Sequence, residues 1–289
     1  MDIKEFSTYA KHTWCPGCGN FAIELAAKQA FVELINEGKI KKENIVILSG
    51  IGCHAKISDY INNANSFYSL HGRVPAPATG IKLANPELVV VGFAGDGDAY
   101  GEGLEHLIFA AKRNTDITMI IHNNRLYALT TGQFAPTSPA NFPSRSTPKG
   151  APEDPLNPIE LMLASGATFV ARGFSGNIQH LKFLIKEAVM HKGFAIIDVL
   201  QPCITLFNSY DFYRERVYDL QEEGHDTSDF EAAMKKAREW NYTDGESKKI
   251  PIGIFYKVEK PCFEERVLRG KKLCELEEPK IKEVLQGHV

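Results

Sequence analysis

Four short apolar segments, each followed by small or polar residues, constrain the fold of this chain more than any other feature of its sequence. The segments cover residues 45–48, 88–93, 117–121 and 194–200. Helical patterns over residues 20–37, 100–113 and 178–191 alternate with them. Continuous apolar strands that alternate with helices are typical of a parallel sheet buried on both faces. We therefore predict an α/β fold, with a mainly parallel sheet and helices on both faces.

Each apolar segment leads into residues that favour ligand binding. The turns are Ser49-Gly50-Ile51-Gly52-Cys53, Gly95-Asp96-Gly97, Asn123-Asn124 and Gln201-Pro202-Cys203. Ligands of open parallel sheets bind beyond the carboxyl ends of the strands, where such turns meet. We therefore expect the functional site at this edge of the sheet.

Composition and charge exclude several classes of protein. The chain has 289 residues and a formal net charge of −3, so it lacks the basic footprint of a nucleic-acid-binding protein. No apolar segment approaches the ~18 residues that a membrane helix needs. Residues 1–14 lack the apolar core of a secretory signal. We expect a cytoplasmic protein that binds neither nucleic acid nor membrane.

The predicted domain organisation is one large domain followed by a charged tail. Residues 1–258 are long enough to bury the core of a single α/β domain. Residues 259–289 contain 14 charged residues among 31, a pattern typical of a solvated C-terminal extension. Residues 134–158 hold seven of the fifteen prolines, so we predict a long irregular loop there.

Gly95-Asp96-Gly97 and Asn123-Asn124 form either a metal-binding pair or two ordinary tight turns. Twenty-five residues separate Gly97 from Asn123, enough for the helix and strand of a β-α-β unit that brings both turns to one sheet edge. A carboxylate and an amide oxygen suit Mg²⁺, which often shares its ligands with phosphates. The glycines let backbone amides approach a diphosphate closely.

The cysteines offer a second set of ligands. Cys15 and Cys18 form a C-x-x-C motif, which is compatible with a redox dithiol, half of a zinc site or part of an iron–sulfur site. Cys53 and Cys203 each follow a predicted strand, so they can meet at the same sheet edge. Four cysteine thiolates can hold a [4Fe–4S] cluster, but the spacing alone does not establish that these four act together. The last two of the six cysteines, Cys262 and Cys274, are expected to be packing or surface thiols.

Several further short blocks extend these motifs across residues 10–255. Together the blocks are Trp14-Cys15-Pro16-Gly17-Cys18-Gly19, Ser49-Gly50-Ile51-Gly52-Cys53, Leu70-His71-Gly72-Arg73, residues 78–86, Gly95-Asp96-Gly97-Asp98-Ala99, Asn123-Asn124, Tyr127, Leu129-Thr130, Gly132-Gln133, Pro136-Thr137-Ser138, residues 198–203 and Pro251-Ile252-Gly253. In these blocks the chain resembles the β subunit of 2-oxoacid:ferredoxin oxidoreductases. The spacing from Gly-Asp-Gly to Asn-Asn resembles the thiamine diphosphate signature.

This resemblance implies a fold and an activity. The fold would be a thiamine diphosphate-binding fold, and the reaction would be the coenzyme A-dependent oxidative decarboxylation of a 2-oxoacid. Electrons would pass through a [4Fe–4S] cluster to ferredoxin or flavodoxin. The partner would be an α or fused αγ subunit in a heterodimer. The substrate would be 2-oxoglutarate, pyruvate or a broad range of 2-oxoacids.

The resemblance also implies a role for individual residues. Cys15, Cys18, Cys53 and Cys203 would ligate the cluster, and Asp96, Asn124 and the Leu126 carbonyl would ligate Mg²⁺. The predicted cofactor-binding residues are Ile51, Gly52, Cys53, His71, Gly95, Asp96, Gly97, Asp98, Asn124, Leu126, Tyr127, Leu129 and Thr130. The predicted catalytic residues are Lys56 and His71.

Three departures from the family pattern lie near the expected substrate pocket. One is the segment Tyr100-Gly101-Glu102-Gly103-Leu104-Glu105-His106, where many relatives have Ile-Gly-Gly-Asn-His. His54-Ala55-Lys56 stands where many relatives have two serines and a basic residue, and Thr131 stands where relatives that use 2-oxoglutarate often have lysine. The sequence therefore leaves the substrate open. Two other functions are compatible with parts of the pattern, namely a non-oxidative thiamine-dependent decarboxylase and a non-catalytic protein with a structural zinc site.

Overall fold

A computed structural model of the chain describes residues 1–243, 249–276, 280, 281 and 286. Its strands are β1 (Ile45–Ser49), β2 (Asn65–Tyr68), β3 (Val89–Gly95), β4 (Thr118–Asn123), β5 (Leu126–Tyr127), β6 (Gln133–Phe134), β7 (Phe169–Phe174), β8 (Ala195–Leu200), β9 (Val217–Asp219) and β10 (Ile250–Lys257). Its α-helices are α1 (Asn20–Asn36), α2 (Ile57–Tyr60), α3 (Pro75–Ala84), α4 (Leu104–Arg113), α5 (Pro158–Ala164), α6 (Ile178–Met190), α7 (Tyr210–Arg214), α8 (Phe230–Ala237) and α9 (Phe263–Leu268).

Eight strands form one sheet in the order β2-β1-β3-β4-β8-β7-β10-β9. All neighbouring pairs are parallel except β7 and β10, which are antiparallel. The four apolar segments of the sequence form β1, β3, β4 and β8, which lie side by side. Strands β5 and β6 form a separate antiparallel hairpin.

Helices cover both faces of the sheet, which confirms the predicted α/β class. Helices α1 and α6 pack with one face of the strands in one hydrophobic core. Helices α3, α4, α5 and α8 pack with the opposite face in a second core. The central strands are buried along their length because both of their faces are covered, and this explains why they are apolar without alternation.

Local signals fix where the helices end. Helix α1 stops before Glu37, and Gly38 follows with a φ of +68°, the left-handed conformation that terminates helices. Helix α6 begins at the Asn177 cap, whose side chain accepts a hydrogen bond from the backbone N–H of His180.

The helix predicted over residues 100–113 is divided in two. Residues Gly97–Glu102 form a π-helical turn, and α4 starts only after Gly103. The backbone of Gly103 packs directly against Gly72, where a Cβ atom on Gly103 would lie 2.3 Å from the Gly72 carbonyl oxygen. This contact interrupts the regular helix and holds the 70–73 loop beside the end of β3. Turns of this kind are frequent at functional sites.

The predicted boundary at residue 258 stays a prediction, but part of the charged segment lies against the domain. Helix α9 contacts α3, and the backbone N–H of Phe263 donates to the Asn114 carbonyl over 3.1 Å. Cys262 is buried there, as expected for a packing thiol, and Cys274 is exposed. Among the described residues, no helix is both long and apolar enough to cross a membrane.

Candidate functional site

The carboxyl ends of β1, β3 and β4 surround a pocket that we call the cofactor pocket. All the residues predicted from the sequence to bind the cofactor line it: Ile51, Gly52, Cys53, His71, Gly95, Asp96, Gly97, Asp98, Asn124, Leu126, Tyr127, Leu129 and Thr130. His54 and Ala128 line it as well. Parallel strands bring their carboxyl ends to one edge, so turns far apart in sequence meet there.

Asp96 is the buried acid of the cofactor pocket. Its side chain accepts hydrogen bonds from the Thr137 hydroxyl (2.9 Å) and from the backbone N–H of Asn124 (3.3 Å). Both donors are neutral, and the residue is 1% exposed. Burial therefore raises the pKa of Asp96 to about 7. A cation beside this carboxylate would supply the positive charge that these neutral donors do not.

Asn124 and Leu126 stand next to Asp96 on the turn after β4. The Asn124 side-chain oxygen accepts a hydrogen bond from the Leu126 backbone N–H over 3.0 Å. Arg125, between them, adopts a φ of +63°, which bends the chain sharply after β4. Asp96, Asn124 and Leu126 bring a carboxylate, an amide oxygen and a backbone carbonyl to one pocket, and oxygen ligands of this kind suit Mg²⁺.

Asp98 differs from Asp96 because two histidines and two backbone amides surround its carboxylate. Its carboxylate lies 3.2 Å from His54 Nε2 and 2.8 Å from His71 Nδ1. It also accepts hydrogen bonds from the backbone N–H groups of Gly72 (2.7 Å) and Ile51 (3.3 Å). Burial alone would raise the pKa of Asp98, but the two imidazoles and the Gly72 amide outweigh it and hold the pKa well below its usual range. Asp98 thereby ties the turn after β1 to the 70–73 loop.

The close approach of Asp98 requires glycine at residue 50. A Cβ atom on Gly50 would lie 1.9 Å from Asp98 Oδ2. The same carboxylate raises the pKa of His71, whose ring is partly exposed in the cofactor pocket. Since Nδ1 faces Asp98, Nε2 is the ring nitrogen that His71 can present to a ligand.

The β5–β6 hairpin places an aromatic ring over the glycines that follow β3. The Tyr127 hydroxyl donates to the Gly97 carbonyl over 3.2 Å. A Cβ atom on Gly97 would lie 2.5 Å from the Tyr127 ring, and one on Gly101 would lie 2.1 Å from its hydroxyl. Burial raises the pKa of Tyr127 to about 12, so the phenol stays protonated and can donate.

Cys15, Cys18, Cys53 and Cys203 line a second cavity, of about 310 Å³, that we call the cysteine pocket. Burial raises the pKa of Cys18 to about 11, and the proximity of Cys203, Cys53 and Cys15 contributes to that shift. The structure thus brings together two strand-end cysteines and the C-x-x-C motif, which sequence spacing alone left open. Cys53, Asn124, Ala128 and Leu129 belong to both pockets, which are therefore adjacent.

The two residues predicted to be catalytic lie in different pockets. His71 lines the cofactor pocket, whereas Lys56 lines the cysteine pocket and donates to the Thr13 carbonyl over 3.4 Å. Burial raises the pKa of Cys53, and the Lys56 ammonium opposes that shift. The structure therefore associates Lys56 with the thiols more closely than with Asp96.

In the part of the chain that the structure describes, no group of three or more His, Cys, Asp or Glu side chains is arranged to hold a single metal ion. The four thiols line one cavity of about 310 Å³. At Asp96, two of the three proposed oxygen ligands come from an amide and a backbone carbonyl, so such a site contains only one carboxylate.

Sequence analysis missed a buried polar network behind the cofactor pocket. The Thr137 hydroxyl lies 2.9 Å from both Asp96 and Asn123, and the Asn123 amide donates to Asp198 over 3.0 Å. The Tyr100 and Tyr242 hydroxyls also donate to Asp198. Asn123 therefore anchors the site from behind, while Asn124 faces the pocket. The block Pro136-Thr137-Ser138 was the only sequence signal that pointed to Thr137.

Comparisons with known proteins agree with the fold. A family model described as thiamine pyrophosphate enzyme, C-terminal TPP binding domain, matches residues 50–199. A second model, which describes the C-terminal part of the pyruvate ferredoxin oxidoreductase beta subunit, matches residues 203–272.

Relatives match over most of the chain. The beta subunit of 2-oxoacid:ferredoxin oxidoreductase 1 from Aeropyrum pernix is 41% identical over 96% of this chain and 88% of its own length. The 2-oxoacid:ferredoxin oxidoreductase beta subunit of Sulfolobus sp. is 45% identical over 88% of this chain and 85% of its own length.

A solved structure of 2-oxoglutarate:ferredoxin oxidoreductase from Magnetococcus marinus, with 2-oxoglutarate, coenzyme A and succinyl-CoA bound, superposes with a TM-score of 0.88. It is 35% identical, and the match covers 100% of this chain and 96% of that one. The predicted resemblance and the predicted enzyme class are confirmed, and the chain belongs to the family of 2-oxoacid:ferredoxin oxidoreductase β subunits.

Proposed function

We propose that this β subunit binds thiamine diphosphate with Mg²⁺ in the cofactor pocket and a [4Fe–4S] cluster in the cysteine pocket. The observation that carries the proposal is the adjacency of the two pockets, which share Cys53. One pocket supplies oxygen ligands and glycine turns, and the other supplies four thiols. A protein that decarboxylates without oxidation needs only the first.

Asp96, Asn124 and the Leu126 carbonyl are the proposed Mg²⁺ ligands. The buried carboxylate of Asp96 has neutral donors, and a divalent cation would offset its charge. The cation would also let the carboxylate and a diphosphate occupy the same pocket. Because the turn after β3 contains Gly95 and Gly97, backbone amides can approach phosphate oxygens closely.

Thiamine diphosphate, when bound, supplies the electron sink for the decarboxylation of a 2-oxoacid. The residues around the cofactor would hold and orient it. Asp98 fixes the backbone at Ile51 and Gly72, and Tyr127 fixes the backbone at Gly97. His71, held through Nδ1 by Asp98, can present Nε2 to the cofactor or substrate.

Cys15, Cys18, Cys53 and Cys203 are the proposed cluster ligands. Four thiols around one cavity of about 310 Å³ supply the number of ligands that a [4Fe–4S] cluster requires. In the proposed overall reaction, a 2-oxoacid anion and coenzyme A yield an acyl-CoA, CO₂, one proton and two electrons. Two molecules of a one-electron acceptor, ferredoxin or flavodoxin, would take up these electrons and become reduced.

An α or αγ subunit is the proposed partner. Large apolar side chains are exposed beside the cofactor pocket, including Ile51 (38%), Leu70 (75%) and Leu129 (50%). Apolar surface of this kind, next to a site, favours burial against another subunit. A heterodimer would cover the rim and complete the site. We also propose a cytoplasmic location, because reduced thiols are needed to bind a cluster.

The proposed substrate is a 2-oxoacid, with 2-oxoglutarate and pyruvate as the first candidates. The structural relative with 2-oxoglutarate bound supports the former, while Thr131, which stands where relatives that use 2-oxoglutarate often have lysine, leaves the latter open. Lys56 is the proposed partner for a distal carboxylate, although it lies in the cysteine pocket.

The test is turnover by the complex of this chain with its partner subunit, purified without oxygen. We expect CO₂ and acyl-CoA to form from at least one 2-oxoacid only when coenzyme A and an electron acceptor are both present. Ferredoxin, flavodoxin and methyl viologen would be compared as acceptors. Release of an aldehyde without any acceptor would contradict the proposal and would indicate a non-oxidative decarboxylase.

A further inference from the structure

The cysteine pocket has two buried side-chain amides whose hydrogen bonding is incomplete. Asn20 and Gln201 both line the pocket, and each is 1% exposed. Among the described residues, Asn20 Nδ2 and Gln201 Oε1 have no hydrogen-bond partner. Of these two atoms only Asn20 Nδ2 is a donor that a sulfur atom could accept from, since an amide oxygen only accepts hydrogen bonds. Leaving a buried polar atom unpaired is costly, so such atoms mark places where a ligand or another group completes the bonding.

Gln201 already directs its N–H group at a sulfur. Its Nε2 lies 3.6 Å from Cys18 Sγ and also donates to the Pro202 carbonyl over 2.8 Å. Gly19 makes this approach possible, because a Cβ atom there would lie 2.9 Å from Gln201 Cγ. The glycine directly after the C-x-x-C motif therefore leaves room for the Gln201 side chain.

The hydrogen bonds of Asn20 leave its side-chain amide nitrogen without a partner among the described residues. His122 Nδ1 lies 2.8 Å from Asn20 Oδ1, so the amide oxygen already accepts a hydrogen bond. The backbone N–H of Asn20 donates to the Cys18 thiol. The remaining donor, Nδ2, belongs to a residue that lines the cavity with all four thiols.

We infer that Asn20 and Gln201 are positioning residues that supply N–H donors to the sulfur atoms of the group held in the cysteine pocket, and that they raise its reduction potential. The inference rests on the proposed function, since it requires a cluster in that pocket. Reduction adds negative charge to the sulfur atoms, so N–H donors stabilise the reduced form more than the oxidised form. Removing a donor therefore lowers the potential.

The test is a redox titration followed by low-temperature EPR on the anaerobic complex. The variants are Gln201→Met, which keeps the length of the side chain, and Asn20→Leu, which keeps its branching. The control is Asn36→Leu, an exposed position at the other end of α1. We expect each test variant to lower the equilibrium constant for one-electron reduction about tenfold, which is a fall of about 59 mV, and the control to match the unmodified complex.

Each outcome separates the two proposals. Normal iron content with unchanged potentials in both variants would overturn this inference and leave the proposed function intact. A complex of the unmodified chain without iron would overturn both. If only one variant loses its iron, the reduction potential of the other variant decides whether the inference holds. Loss of iron from both, with the fold retained by circular dichroism, would overturn the inference, because the amides would then be needed for assembly.

Discussion

The cofactor pocket and the cysteine pocket lie side by side at one sheet edge but are built in different ways. The ligand turns of the cofactor pocket come from β3 and β4, which are neighbours in both sequence and space. The cysteines come from three separate parts of the chain, namely residues 15–18, the turn after β1 and the turn after β8. A local motif can therefore specify the first pocket, whereas only the assembled sheet can bring the second together.

The two pockets also differ in how their buried polar groups are satisfied. Behind Asp96, a continuous network runs through Thr137 and Asn123 to Asp198. In the cysteine pocket, Asn20 and Gln201 keep unpaired atoms among the residues that the structure describes. The difference teaches that hydrogen bonds within the chain already hold Asp96 in place, whereas in the cysteine pocket the Asn20 amide keeps a donor free for a ligand.

The largest expected effect comes from Asp96→Ala. The substitution removes the only carboxylate among the proposed Mg²⁺ ligands, so we expect no measurable binding of thiamine diphosphate by calorimetry. Iron content should stay at about four per chain, because the four thiols are unchanged. Loss of iron with retained thiamine binding would show that the assignment of the two pockets is reversed.

Cys53→Ser tests the boundary that the two pockets share. The proposed cluster loses one thiolate, so we expect electron transfer to ferredoxin to be abolished. Thiamine diphosphate binding should persist within a fewfold, because Asp96 and Asn124 are intact. Stopped-flow reduction of the acceptor and calorimetry on one preparation would measure both quantities. Undiminished acceptor reduction would contradict the role of Cys53.

The raised pKa of Asp96, about 7, predicts a pH-dependent affinity for Mg²⁺. Protons compete with the metal for this carboxylate, so the affinity should fall about tenfold per unit as the pH drops below 7. Calorimetry at pH 6, 7 and 8 would measure it. An affinity that is constant over this range would show that Asp96 does not ligate the ion.

The same pKa predicts the sign of a stability change in the metal-free protein. The folded pKa lies above the unfolded value, so the folded protein keeps a proton that the unfolded chain releases between pH 4 and 7. The stability that this proton contributes is lost as the pH rises through about 7. Asp96→Asn should remove this component, and the two melting curves at pH 5 and pH 8 should reveal it.

Thr137→Val removes the hydroxyl that lies between Asp96 and Asn123 with little change in shape. We expect thiamine diphosphate affinity to fall roughly five- to tenfold, the size of one buried hydrogen bond. Thr137→Ser keeps the hydroxyl and is the matched control. Equal losses in both variants would indicate that the methyl group matters, and not the hydroxyl.

Lys56→Gln has the smallest expected effect. The Lys56 ammonium favours the Cys53 thiolate, so its loss should slow alkylation of Cys53 in the metal-free protein by about two- to threefold. Mass spectrometry of iodoacetamide-treated protein would give the rate at each cysteine. Lys41→Gln, at an exposed position, is the control. An unchanged alkylation rate at Cys53 would show that Lys56 does not influence the thiols of the cysteine pocket.

Much of the fold could be predicted because both faces of the central strands are buried. Continuous apolar sequence identified β1, β3, β4 and β8, and the turns after them identified the sheet edge. The peripheral β2 escaped prediction, because its four residues are exposed and lack an apolar pattern. Strand β10 pairs antiparallel to β7. A β-α-β pattern predicts only parallel neighbours, so it could not predict this strand.

The site could be predicted where residues act through a local motif, and not where they act through packing. The turns at Asp96 and Asn124 could be predicted from their spacing. The break at Gly103 was not, because it arises from a backbone contact with Gly72, about thirty residues away in the chain. The role of Asp198 could not be predicted either, although residues 198–203 form one of the blocks, since its partners come from three other segments.

This β subunit is proposed to hold two different prosthetic groups, thiamine diphosphate and a [4Fe–4S] cluster, in adjoining pockets. Low-temperature EPR on the anaerobic complex with its partner subunit, before and after dithionite, together with iron and thiamine analysis, tests it most directly. We predict a rhombic S = 1/2 signal on reduction, about four irons per chain and bound thiamine diphosphate. A complex that is silent after reduction and contains zinc or no metal would contradict the account.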